Sequence, residues 1–243
     1  MRRILVLPDL QVPYHDKQAL LLALKAGRIF KADTIVSLGD FADCYAVSFF
    51  SKDPDRNQMF KEEVDECNKV LTQIDRAFPN AEKYFIEGNH EFRLQRYMQD
   101  RGRELWGLLT IPDLFDLRRR KWRHVPYGHH VKLGELVFTH DGGLKSAKYF
   151  TGRLIDRYGC SVCVGHFHRI QMMMTEHLGG TRVAFSPGTL CDPQKVGDFI
   201  KSEVKNWHQG FATVIVLDNG TSYHQIHHIV GGQCYVNGTL CKI

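Results

Sequence analysis

The chain repeatedly passes from a short apolar run into a polar cluster, and helical patterns separate the first three of these runs. Residues 3–7, 34–38 and 83–86 have the length and the aliphatic or aromatic content of buried strands. Between them, apolar residues at helical spacing predict helices over 16–30 and 58–78. This alternation predicts an α/β fold with a parallel β-α-β-α-β core and right-handed crossovers. In such a sheet the carboxyl ends of the strands meet at one edge, where ligands bind.

The remainder of the chain divides into a basic segment and a strand-rich half. Residues 91–127 are irregular, helical in parts and rich in arginine. From residue 131 onward apolar strand patterns dominate, with one helix predicted over 145–157. The turn at 218–220 (Asp-Asn-Gly) lies between two of these patterns and predicts a hairpin. Without a linker or an internal repeat, residues 1–243 are expected to form a single domain with a basic insertion at about 91–127.

Composition narrows the class of protein. An apolar fraction of 43% with 24% charged residues is typical of a water-soluble globular chain. The net charge of +5 suits an anionic partner but is too small to indicate nucleic acid by itself. The seven scattered cysteines do not resemble a secreted disulfide framework, so we expect reduced thiols and a cytoplasmic protein. No apolar stretch approaches the roughly 20 residues of a membrane-spanning helix.

Five polar motifs each follow a predicted strand and together offer aspartate, asparagine and histidine side chains. Hard oxygen atoms combined with imidazoles suit Mn, Fe, Zn or Ni rather than a thiolate zinc site. One histidine at a strand end is more often a hydrogen-bonded structural residue, but five such motifs in order are specific. The motifs are Asp9-Leu10-Gln11, Gly39-Asp40-Phe41-Ala42-Asp43, Gly88-Asn89-His90-Glu91, Thr139-His140-Asp141-Gly142 and Gly165-His166-Phe167-His168.

This order of motifs, GDxxD…GNHE…H…GHxH over residues 9–168, resembles the calcineurin-like metallophosphoesterases, including phage and bacterial members. The resemblance implies a four-layer α/β/β/α sandwich and two divalent metal ions, with Mn as the leading metal and Mg, Fe, Zn or Ni as alternatives. It implies that Asp9 and His168 bind the first metal and that Asp40 bridges both. The second metal would be bound by Asn89, His140 and His166.

The resemblance also assigns roles around the metals. His90 is expected to be the catalytic histidine beside the leaving group, and Asp43 and Glu91 are expected to orient His90 or the metal ligands. With two cations sharing an aspartate, a metal-bridging hydroxide would attack phosphorus while His90 donates a proton to the leaving oxygen.

Gln11 departs from the family pattern, which usually opens with Asp-x-His. A glutamine carbonyl oxygen is neutral and harder than imidazole. Either Gln11 is a substitute ligand that favours Mn²⁺ or Mg²⁺, or the first site binds its metal weakly. His15 is a less favoured substitute, because it lies at the start of the predicted helix.

The expected substrate is a phosphate ester, and the arginine-rich segment favours phosphodiesters, with nucleic acid or a nucleotide among the candidates. The basic run 118–123 is open to two interpretations, a surface that follows a phosphate backbone or a solvated helix end. A phosphomonoesterase and a non-catalytic scaffold of the same fold are the alternative functions. The oligomeric state is not predictable from the sequence. The expected substrate-binding residues are Arg93, Arg96, Arg119, Arg120 and His208.

Overall fold

The computed structural model describes residues 1–52, 56, 58–144, 148–196 and 206–242. The strands in these ranges are β1 Arg2–Leu7, β2 Thr34–Leu38, β3 Glu82–Ile86, β4 Trp122–Val125, β5 His130–Leu133, β6 Leu136–Thr139, β7 Ser161–Val164, β8 Ile170–His177, β9 Gly180–Pro187, β10 Gly210–Val216, β11 Ser222–His228, β12 Gln233–Val236 and β13 Thr239–Lys242. The α-helices are α1 Lys17–Phe30, α2 Phe60–Ala77, α3 Phe92–Arg101, α4 Ile111–Leu114, α5 Phe150–Tyr158 and α6 Pro193–Val196.

The first sheet has the strand order β11-β10-β1-β2-β3-β4. Strands β1 to β4 are parallel, while β10 runs antiparallel to β1 and to β11. This arrangement confirms the predicted β-α-β-α-β core and the hairpin around the turn at 218–220. Strand β4 was not predicted: Trp122 lies opposite Lys83 on β3 and is buried, whereas Arg123 next to it is exposed.

The second sheet has the order β5-β6-β7-β9-β8 and packs face to face on the first. Alternation along β1 shows the layering, since Ile4 and Val6 face the second sheet while Leu5 and Leu7 face the core beneath α1 and α2. Because both faces of β1 are covered, its sequence from Ile4 to Leu7 is a continuous apolar run rather than an alternation of apolar and polar residues. Helix α5 covers the outer face of the second sheet. The structure thus confirms the four-layer α/β/β/α sandwich.

Helix boundaries follow local capping. The Asp16 side chain accepts hydrogen bonds from the backbone N–H groups of Gln18 and Ala19, which starts α1 one residue after the predicted boundary. Of the helix predicted over 145–157, residues 145–147 lie outside the described ranges, and α5 begins at Phe150. No helix within the described ranges is long and apolar enough to cross a membrane.

Candidate metal centre

The loops that follow β1, β2, β3, β6 and β7 bring the five polar motifs together. Two groups of side chains could each hold a cation: Asp9, Asp40 and His168, and Asp40, His140 and His166. In each group the candidate ligand atoms lie within 4.8 Å of one another, and Asp40 belongs to both. Parallel strands place these residues side by side because their carboxyl ends meet at one edge.

His140 is enclosed by oxygen atoms. Its Nδ1 donates to the carbonyl of Leu38 at 3.0 Å, while its Nε2 lies 3.2 Å from Asp40 Oδ1 and 3.0 Å from Asn89 Oδ1. Burial lowers the pKa of His140, but the Asp40 carboxylate outweighs this effect and raises the pKa to about 10. The ring therefore holds protons on both nitrogens unless another cation replaces the Nε2 proton. The oxygen atoms of Asp40 and Asn89 and the His140 imidazole are donors that suit a divalent cation. His166 Nδ1 lies close to them, 2.7 Å from Asn89 Oδ1.

The other group contains buried polar atoms without hydrogen-bond partners. His168 Nε2 lies 3.3 Å from Asp9 Oδ1, yet neither ring nitrogen of His168 has a hydrogen-bond partner among the described residues. The Oε1 atom of Gln11 is also buried and unpaired there. Buried polar atoms without partners are costly and rare, so these atoms fit a site in which a cation supplies the missing interaction.

The backbone of this region is unusually strained. A positive φ is unfavourable for residues other than glycine and costs them on the order of 1 kcal/mol or more. Gly39, which precedes Asp40, has a φ of +90°, and a Cβ atom at position 39 would lie 2.3 Å from His140 Nδ1. Such strain is typical of functional sites. The non-glycine residues at positive φ here are Asp9 at 41°, Gln11 at 50°, Asp40 at 47°, His166 at 66° and His168 at 53°.

His90 lies beside this cluster and is fixed at both ring nitrogens. Its Nδ1 donates to Asp43 Oδ1 at 2.7 Å, and its Nε2 accepts from Arg93 Nη2 at 2.9 Å. Burial raises the pKa of Asp43, but the hydrogen bond from His90 outweighs it and keeps the pKa below its usual value. Asp43 thus stays ionised and holds the proton on Nδ1, while Nε2 lies 3.6 Å from Asp40 Oδ2.

The Glu91 carboxylate connects the loops after β2 and β3 through backbone N–H groups rather than through the His90 ring. Its carboxylate accepts backbone N–H groups of Gly88 and Ala42 at 2.7 Å and of Asp40 at 3.1 Å. The Asp40 carboxylate in turn accepts the backbone N–H of His90 at 2.9 Å. These contacts fix the spacing between two loops that carry candidate ligands.

A second buried glutamate supports the same loop from α2. The Glu63 carboxylate accepts the backbone N–H of Cys44, and burial followed by the nearby Asp43 charge raises the pKa of Glu63 to about 8. The ordinary value is 4.5, so the folded state holds this proton more tightly than the unfolded chain. Stability from Glu63 is therefore complete below pH 4.5 and is lost as the pH rises through 8.

Replacing this residue, Glu63→Gln, retains an acceptor oxygen but removes the ionisation. Between pH 5 and pH 9 the variant should lose less stability than the parent protein, by at least about 1 kcal/mol, since one pKa unit corresponds to about 1.4 kcal/mol. Urea unfolding of chelator-treated protein measures this difference. The exposed Glu104→Gln variant is the matched control, and parallel pH curves for Glu63→Gln and the parent would refute the expectation.

The expected substrate-binding residues fall into two sets. Arg93 contacts His90, and Arg96 follows it on α3. Arg119 and Arg120 lie away from the cluster. They precede the amino end of β4, whereas the cluster lies at the carboxyl ends of the parallel strands. Arg119 pairs with Asp116, and Arg120 pairs with Asp75 at 2.8 Å.

His208 meets the cluster through its backbone rather than its ring. Its N–H donates to the carbonyl of His168 at 2.8 Å, whereas its Nδ1 accepts the N–H of Ile170 at 3.2 Å. Two further neighbours were not among the predicted site residues. The Trp207 ring lies 4.3 Å from that of His168, and the Thr189 hydroxyl donates to the carbonyl of Asp9 at 2.8 Å. Thr189 does follow a strand and a glycine, the pattern seen at Asp40, Asn89 and His166.

Comparison with known proteins places this arrangement in a family. Among curated proteins, the Gene 54 protein of Mycobacterium phage L5 is 25% identical over 256 residues, covering 100% of this chain and 99% of the phage protein. The Gene 54 protein of Mycobacterium phage D29 is 24% identical over 255 residues, with the same coverage. The solved structure of vacuolar protein sorting 29 from Cryptosporidium parvum, 14% identical, matches with a TM-score of 0.50 over 100% of this chain and 98% of that one, and this likeness concerns the fold alone.

The model of the calcineurin-like phosphoesterase family matches residues 2–169. This range is more than half of the chain and contains all five motifs. Both candidate cation groups also lie within it. The chain therefore belongs to the calcineurin-like phosphoesterases, a family of metal-dependent phosphoester hydrolases.

Proposed function

We propose that the protein hydrolyses phosphodiesters with two divalent cations that share Asp40. The observation that carries this proposal is the pair of donor groups joined at Asp40, one of which has unpaired buried nitrogen atoms. Asp9, Gln11, Asp40 and His168 would hold the first cation. Asp40, Asn89, His140 and His166 would hold the second. Mn²⁺ is the proposed metal, because the neutral Gln11 oxygen is a harder donor than the imidazole it replaces.

Bound divalent cations lower the pKa of water and neutralise negative charge on phosphoryl oxygens. The protein's own residues position the ester and move the proton. A phosphoryl group beside Asp40 would lie within reach of His90 Nε2, which would take up a proton from solvent in place of the hydrogen bond from Arg93 and then protonate the leaving oxygen. Asp43 holds the opposite side of the ring, so Nε2 is the nitrogen directed to the substrate. Arg93, which donates to Nε2, would stabilise negative charge on the phosphate.

We propose diesters rather than monoesters because positively charged side chains continue beyond the cluster along α3. Arg96 and Arg101 follow Arg93 along α3 and are exposed. A monoester has one substituent on its phosphate, whereas a diester continues on both sides of it. A polymeric diester would therefore offer further phosphates to these arginines while one of its phosphates occupies the centre.

The proposal predicts turnover of bis-p-nitrophenyl phosphate in preference to p-nitrophenyl phosphate. Chelator-treated protein should be inactive and should regain turnover when Mn²⁺ is added, because the donor groups then recover their cations. Steady-state rates with a panel of divalent metals measure both effects. A reversed preference would favour a phosphomonoesterase. Absence of turnover with every metal in the panel would favour a non-catalytic scaffold.

A further inference from the structure

Aromatic and cationic side chains alternate on the surface beside His90. Their contacts are cation–π pairs. The Arg93 guanidinium lies 5.7 Å from the centre of the Phe50 ring. Those of Arg96 and Arg101 lie 4.9 Å and 5.7 Å from the centre of the Phe49 ring. Lys52 lies 4.6 Å from the Tyr45 ring centre, and Arg56 lies 4.8 Å from Tyr14 and 5.5 Å from Tyr45. We name this surface the aromatic–basic rim. It comprises Tyr14, Tyr45, Phe49, Phe50, Lys52, Arg56, Arg93, Arg96 and Arg101.

The rim is continuous with the candidate metal centre. Arg93 belongs to both, since its guanidinium donates to His90 Nε2 and to the carbonyl of Asp43 at 2.8 Å. Tyr14 joins it at another point, where its N–H donates to the carbonyl of Gln11 at 2.8 Å. A polymer that crosses the rim would therefore place its backbone next to the reacting groups.

The two phenylalanines are more exposed than a structural role requires. Phe50 is 72% exposed and Phe49 is 38% exposed. Large apolar side chains in contact with solvent next to an active site mark a binding surface. Their rings lie among guanidinium groups, so an occupant of the rim must offer both flat apolar surfaces and negative charges.

We propose that the rim binds single-stranded nucleic acid and presents its phosphodiester backbone to the metal centre. Bases stack on aromatic side chains while lysine and arginine contact the phosphates, and alternation of the two is how sequence-independent single-strand binding surfaces are built. Duplex nucleic acid keeps its bases stacked inside, so the exposed rings would find no partner. An acidic peptide would satisfy the cations but not the phenylalanine rings. This inference rests on the proposed phosphodiesterase function and names its substrate class.

The test compares the double variant Phe49→Ala/Phe50→Ala with the parent protein. Loss of base stacking should weaken binding of a fluorescein-labelled oligodeoxythymidylate by about 5- to 150-fold for each stacked base. Fluorescence anisotropy measures the affinity, with oligouridylate as the RNA arm and a duplex as competitor. The ratio of kcat/KM for the oligonucleotide to that for bis-p-nitrophenyl phosphate should fall by the same factor. Arg96→Gln/Arg101→Gln is a second variant, in which the salt dependence of binding should also decrease.

Tyr223→Ala is the matched control, since this tyrosine is 61% exposed and lies on β11 opposite Ile215, at the end of the sheet away from the centre. It should bind and cleave like the parent. Unchanged affinity in both double variants, or binding of duplex as tight as single strands, would overturn the inference. Failure of the proposed function is distinguishable: the parent would then turn over neither substrate, while anisotropy would still report whether the rim binds single strands.

Discussion

Replacement of His90 by asparagine is expected to lower kcat for a phosphodiester with an alkoxide leaving group by about 10²- to 10⁴-fold, the usual contribution of general acid–base catalysis. The reason is the geometry around its ring, in which Asp43 fixes Nδ1 and Nε2 lies 3.6 Å from Asp40 Oδ2. Asparagine preserves polarity but cannot deliver a proton from the position of Nε2. The bound metal should be unchanged, because His90 belongs to neither candidate cation group.

Steady-state kinetics and metal analysis of the same preparation separate the two effects. His177→Asn, an exposed histidine at the end of β8, controls for loss of an imidazole elsewhere. Bis-p-nitrophenyl phosphate should be affected less, since its departing nitrophenolate oxygen needs little protonation. If His90→Asn kept the parent kcat, the proposed proton donor would be wrong. If it lost metal, His90 would act through the ligand set instead.

Replacement of Asp40 by asparagine is expected to remove both cations and nearly all turnover. Asp40 is 1% exposed and is the side chain common to both donor groups. Burial raises its pKa, but His140 and His90 outweigh burial and hold the pKa well below the ordinary value, so the carboxylate is charged. A neutral amide in its place would leave two cations without their shared negative charge. The loss should exceed the 10–100-fold reduction in metal affinity or activity typical of residues that support metal ligands indirectly.

Single-site variants provide the comparison. His168→Ala should weaken only the first cation and His140→Ala only the second, because each histidine belongs to one group. Asp218→Asn, whose side chain is 93% exposed in the turn between β10 and β11, is the matched control for an Asp-to-Asn change. Calorimetric titration with Mn²⁺ measures the number of sites and their affinities. Retention of one tight site in Asp40→Asn would show that the two groups do not depend on this aspartate.

The sequence was sufficient for the core of the fold because its signals are local. Strand β2 was predicted with the observed bounds, and α1 begins at Lys17, one residue after the predicted start at Asp16. Strand β4 was overlooked because Arg123 and His124 do not look like residues of a buried strand. That strand depends on pairing with β3 and on the burial of Trp122, which are tertiary effects.

Recognition of the candidate site followed the same rule. Short motifs at strand ends were sufficient to select residues that the fold brings together. The arginines could not be sorted in this way, because whether Arg93 or Arg120 faces the centre depends on which end of the sheet each one occupies. Trp207 lies about forty residues beyond His168 in the chain, and only folding places their rings 4.3 Å apart.

The most direct test of the account is the number and coupling of bound metal ions. Chelator-treated protein reconstituted with Mn²⁺ should bind two ions per chain, one for each donor group. Electron paramagnetic resonance should show two Mn²⁺ ions coupled through the shared Asp40, and Asp40→Asn should abolish the coupled signal. A single equivalent of Mn²⁺ with the spectrum of an isolated ion would contradict the account, and it would mean that Gln11 leaves the first site without its metal.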